Sequence, residues 1–202
     1  MDRRELLKKL GLGTGIVTLT PVTLSLFQSC QNDLDWNPVF FNKDEIDFLE
    51  TLCELILPSS DILPGSKDLD LVRFIDLYAF NVLDDGSKSF LTKTFNSFKN
   101  EYFEESDNSN INRIDKTSIS KLLNFYLEEN IVKHDIWMND YMESSKSLSY
   151  MFLFSVRELL INAFRTNQYI ATNVLVYKPI PMEQKGCVDL KSATNGKAWA
   201  ID

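Results

Sequence analysis

The sequence predicts a mainly α fold: a compact helical domain of about five helices followed by an extended, mostly irregular C-terminal tail. Two observations carry this expectation. Apolar residues recur at alternating three- and four-residue steps from about residue 41 to residue 165, the period of one face of a helix. Beyond about residue 173 that period vanishes, and Pro179, Pro181, Gly186 and Gly196 take its place.

The chain opens with "MDRRELLKKLGLGTG", in which Arg3 and Arg4 precede a modest apolar run. Such a pair reads as a twin-arginine export address, a route for cargo that is already folded, and residues 1–29 are set aside from the fold on that ground. The run from Leu10 to Phe27 is diluted by three glycines, several threonines and Pro21, so it is a weak membrane span beside the roughly twenty strongly apolar residues a spanning helix needs. A removable signal is the expected reading, with an uncleaved anchor as its alternative. Ser29 and Cys30 in "LFQSC" form a loose lipoprotein box. Cleavage there would leave Cys30 as a lipidated first residue, with residues 30–40 as a polar tether and residues 41–202 as a single domain.

Removing residues 1–29 leaves 173 residues, enough for one core that buries roughly 70% of the unfolded surface. The formal net charge is −8 overall and −10 once the four basic and two acidic residues of that segment are gone. No later stretch concentrates Lys and Arg, which argues against nucleic acid as a partner. Of the three cysteines, Cys53 and Cys187 remain either as a disulfide in an oxidising compartment or as two separate buried thiols.

Each helix of the domain has its own signature. In "FFNKDEIDFLETLCELILP", Asn42 is the N-cap and Glu45 completes a capping box, Phe41 and Ile46 form a staple around it, and Pro58 ends the helix. Ile46, Leu49, Cys53 and Ile56 share its inner face. The segment "PSSDILPGSKD" reads as a turn whose single Gly65 cannot make a phosphate nest, and a second helix follows over about 69–83. Leu91, Phe95, Phe98 and Tyr102 then make an aromatic stripe, which reads as core. "EESDNSNINRID" reads as a surface loop without the ligand order of a calcium site. "SISKLLNFYLEENI" predicts one helix through Ile119, Leu122, Leu123 and Tyr126. "SLSYMFLFSVRELLINAF" predicts a helix buried nearly all round, with Leu148, Met151, Phe152, Val156, Leu159, Leu160 and Ala163 on its broad face.

Chemistry-bearing residues are sparse. His134 has no second ligand at metal spacing and reads as a surface or helix-start histidine. Arg157 and Glu158, inside an apolar helix, read as a partly buried ion pair, with a catalytic role as the sharper alternative. No nucleophile elbow, dinucleotide fingerprint, Walker loop or haem-attachment motif is present, so neither a catalytic residue nor a cofactor or metal ligand is assigned to this chain.

In order along the chain, "FFNKDEIDFLETLCELILPSSDILPGS", "FLFSVRELLINAFRTNQY", "VYKPIPMEQKGCVDL" and "GKAWA" resemble the gluconate 2-dehydrogenase subunit 3 family. The most specific pieces are the turn running from Ile56-Leu57-Pro58 through its loop to Pro64-Gly65 and the series Tyr177, Pro181, Gly186, Cys187; Ser66 stands where the family commonly has Ala. The resemblance implies a non-catalytic accessory subunit that escorts, stabilises and anchors a large subunit of the glucose-methanol-choline flavoprotein type. That large subunit would bind FAD and oxidise a sugar or sugar acid in the periplasm or cell envelope, with a cytochrome c subunit as a further candidate partner. Membrane attachment would run through the lipid anchor or the signal segment. An export address for folded cargo on a chain with no cofactor motif then makes sense: the partner is the cargo. The competing expectation is a free-standing envelope lipoprotein that binds a ligand. Tyr177, Pro181 and Trp199 are the candidate partner contacts, because Tyr and Trp on extended backbone are common interface anchors.

Overall fold

The computed structural model describes residues 36–106, 114–140, 144–178 and 187–200. Arg3, Arg4, Cys30, Pro181 and residues 107–113 of the acidic loop lie outside the described residues. The chain divides into two units, Met1–Asn37 and Pro38–Asp202, and every described helix belongs to the second.

The fold is mainly helical. Its long elements are α1 (Lys43–Ile56), α2 (Leu71–Asn81), α3 (Asp85–Ser106), α4 (Lys116–Asn124) and α6 (Ser145–Thr166), with short helices α5 (His134–Asn139) and α7 (Leu190–Thr194). The core helix is α6, against which α3, α5 and α2 pack; α1 touches α2, α4 and α6. Phe95 of α3 stacks on Phe152 of α6 at 4.8 Å between ring centroids, and Phe48 of α1 meets Tyr102 of α3 at 5.0 Å. Leu91, Phe95, Phe98 and Tyr102 are all buried, so the predicted aromatic stripe of α3 is core.

α1 begins as its sequence requires. The Asn42 side chain accepts from Glu45 N–H at 2.9 Å, and the Glu45 carboxylate accepts from Asn42 N–H at 3.1 Å. The other oxygen of Glu45 pairs with Lys99 of α3, so one side chain both caps a helix and ties it to its neighbour. Leading into α1, the chain is held by Asp76 of α2, which is fully buried and accepts from the N–H groups of Val39, Phe40 and Phe41 at 2.9–3.0 Å. A buried carboxylate is tolerated only with such complete partnering.

The turn between α1 and α2 explains its Pro-Gly. A Cβ on Gly65 would lie 2.4 Å from the backbone nitrogen of Ser59, a distance no side chain survives. Gly65 N–H donates to Asp68 at 2.9 Å, and the Ser60 hydroxyl accepts from Leu63 N–H at 3.0 Å, closing the loop on its own side chains.

Two expectations need correction. The single helix predicted across residues 118–131 ends at Asn124 and widens into a π turn over Phe125–Glu129, followed by a 3-10 turn at Ile131–Lys133. Side chains take the carbonyls there: Asn130 donates to Phe125 O at 2.9 Å, and the His134 ring bonds Tyr126 O at 2.6 Å. Helix α6 is also not buried all round. Phe152, Val156, Leu160 and Ala163 are buried, but Leu148, Met151 and Leu159 are only half-buried, and Tyr150 and Leu153 join the core. Hydroxyl contacts select this rotation: Ser149 donates to Ser97 at 3.3 Å, and Ser97 donates to Ser145 O at 2.9 Å. The rotation leaves Arg157 and Glu158 exposed, so neither is the partly buried ion-pair residue expected.

Candidate partner-binding surfaces

Among the described residues no group of three or more His, Cys, Asp and Glu side chains could hold a metal ion. His134 opens α5 half-buried, with its ring stacked on Tyr150 at 4.6 Å and bonded to the Tyr126 carbonyl. Those contacts make it a structural residue that closes the π turn. Tyr126 donates its hydroxyl to Glu101, and burial, reinforced by that carboxylate, holds the phenol well above its ordinary range.

A cavity of about 530 Å³ opens between α3, α4 and the start of α6. Its two lysines are engaged within the chain: Lys121 pairs with Glu105 at 2.9 Å, and Lys146 lies 4.9 Å from the Phe125 ring centre.

The mostly irregular C-terminal segment carries a few short ordered pieces. After α6 the chain makes a π turn at Ile170–Val174, with Ile170 fully buried. Val176 then pairs with Trp199 in an isolated parallel bridge: Val176 N–H donates to Ala198 O at 2.9 Å, and Ala200 N–H donates to Val176 O at 3.0 Å. Lys178 sits over the Trp199 ring at 5.1 Å. Between them α7 is capped by Asp189, whose carboxylate accepts from Ser192 N–H at 2.9 Å, and is ended by Asn195 in the left-handed region. The half-buried Trp199 is therefore held by its own chain, while Tyr177 is 45% exposed.

Cys53 is fully buried on the inner face of α1 and Cys187 is exposed beyond α6; both are free thiols. Burial, with a smaller contribution from Glu50, pushes the Cys53 thiol up to about 12.

A surface the sequence reading passed over lies on α2. Leu71, Val72, Ile75 and Ala79 are buried on one side, whereas Phe74, Leu77 and Phe80 are exposed on the other. Tyr78 stacks on Phe74 at 5.9 Å. The signal was present as two apolar faces in "LVRFIDLYAFN": a helix with only one face to bury should carry polar residues opposite.

Among the described residues no helix is long and apolar enough to cross a membrane. No curated protein and no solved structure matches this chain. The sequence model of one family, described as Gluconate 2-dehydrogenase subunit 3, matches residues 43–182, which span α1 through the bridge residue Val176 and on to Met182. That span covers well over half of the chain and contains α1, the Pro-Gly turn and the core helices α3 and α6, and so the chain belongs to the gluconate 2-dehydrogenase subunit 3 family, an accessory subunit family of a dehydrogenase complex.

Proposed function

We propose that this chain escorts a large FAD-dependent dehydrogenase subunit of the glucose-methanol-choline type, acting on a sugar or sugar acid, through the twin-arginine route, and then stabilises it and holds it at the membrane through a lipid on Cys30. The observation that carries this reading is the family match over residues 43–182, joined to the Arg3-Arg4 address ahead of it. The family supplies the need for a dehydrogenase partner; the address supplies a reason for two chains to travel folded together. Tyr177 and Trp199 are the tail residues offered to the partner, one exposed and one presented on the Val176 bridge.

Replacing Arg3 and Arg4 together with Lys tests the escort. This chain and the flavoprotein should both remain in the cytoplasm. A flavoprotein that still reached the envelope would rule the escort role out. Cys30→Ala separately tests the anchor: the subunit should move from the membrane to the soluble envelope fraction, and membrane association without an acyl mass on Cys30 would refute lipidation.

A further inference from the structure

α7 ends on the one Asn-Gly pair in the sequence, Asn195-Gly196. The pair is exposed, and both residues lie in the left-handed region, with φ 56° at Asn195 and 81° at Gly196. Asparagine tolerates that region and glycine adopts it freely, so the two suit the turn that leads the chain out of α7. They also suit a chemical step.

A backbone amide nitrogen attacks the side-chain carbonyl carbon of the asparagine before it when the two groups are free to meet, closing a five-membered ring. The side chain of the following residue usually crowds that nitrogen, and hydrogen bonds hold the two groups apart. Both restraints are weak here. Gly196 has no side chain, and nothing lies within 4 Å of where its Cβ would stand. The Asn195 side chain makes no hydrogen bond among the described residues, whereas Asn81, Asn130 and Asn173 donate theirs to nearby carbonyls at 2.8–3.0 Å. At ψ 31° the Gly196 nitrogen must swing about the Cα–C bond of Asn195 to reach the side chain. The bond opposing that swing, from Gly196 N–H to Leu190 O, is 3.5 Å long, at the limit of a hydrogen bond.

We infer that Asn195 is a site of spontaneous conversion to aspartate and isoaspartate. The Gly196 nitrogen, its proton lost to hydroxide, bonds to Asn195 Cγ and expels the side-chain amide as ammonia. Water then opens the ring at either carbonyl and restores the Gly196 N–H. Opening at Cγ gives aspartate; opening at the backbone carbonyl reroutes the main chain through Cβ and Cγ and lengthens it by one atom. Either product acts on the tail. A carboxylate at position 195 stands beside the last carbonyls of α7, the unfavourable end of a helix for a negative charge. The isoaspartyl link lengthens a chain that is pinned at Trp199, four residues on, by the Val176 bridge.

The test incubates the purified full-length chain in mildly alkaline buffer, native and in urea, until the unfolded chain has converted. Released ammonia and digest masses are followed, with electron-transfer fragmentation to separate aspartate from isoaspartate. In the native chain the Asn195 peptide should be the first to exchange its amide nitrogen for oxygen, with isoaspartate among the products, and amide exchange at Val176 and Ala200 should rise in step. Asn195→Gly, which keeps a residue suited to the left-handed turn, should release no ammonia over the same time and keep its protection. Full retention of Asn195 in the native chain overturns the inference, as does earlier conversion at another asparagine. A converted chain with unchanged exchange at Val176 and Ala200 overturns the effect on the bridge.

Discussion

Ser66 is a residue whose chemistry does not match its surroundings. Its hydroxyl is buried without a hydrogen-bond partner among the described residues, while its backbone is fully used, accepting from Leu71 N–H and donating to Leu57 O, each at 3.0 Å. A buried unpaired hydroxyl costs stability, and an alanine-sized side chain would avoid that cost. Ser66→Ala should therefore raise the denaturant midpoint by an amount worth up to about 1 kcal/mol; a loss of more than that would mean the hydroxyl is bonded after all. The thiols give a second residue-scale test. Cys53 is buried with its thiol pushed up to about 12, and thiolate is the reactive form, whereas Cys187 is exposed. On a Cys30→Ala chain, Ellman titration should find one reactive thiol in the native state and two after unfolding. A chain in which Cys53 and Cys187 were joined would show none in either state.

At the scale of elements, local signals were readable where one residue type has one physical use. The Asn42–Glu45 box, the Gly65 turn and the stripe of α3 needed only side-chain spacing to be read, and each is where the pattern placed it. What escaped was set by distant partners. The π turn after α4 depends on His134 and Asn130 capturing carbonyls, α5 is too short to show a period, and the rotation of α6 is chosen by serines that bond across to α3. The start of α4 carries a pH dependence. Hydrogen bonds from the Ser118 hydroxyl and from Thr117 N–H hold the Asp115 carboxyl below its ordinary value. A depressed folded value means the cap is fully present above the unfolded value and is lost as pH falls through the folded one. Amide exchange at Thr117 and Ser118 should therefore gain protection-loss in acid that an Asp115→Asn chain, already lacking the charge, does not show. Equal pH profiles for the two chains would contradict this account of the cap.

For the whole molecule, fold class was readable because nearly every helix pays its entropy with one apolar face and announces it by period. The candidate surfaces were harder to see. Trp199 lies in a stretch with no helical period, and only the fold shows Val176 holding it in place. The outer face of α2 looked like surplus core, because sequence alone does not say which of two apolar faces finds a neighbour. The most direct test of the accessory role is the composition of the native assembly: the chain solubilised from its own cells in mild detergent, separated by size with mass and flavin absorption read together. The account predicts that it elutes with a flavin-containing dehydrogenase polypeptide in stoichiometric amount. Elution at the mass of the chain alone, free of flavin, would contradict it.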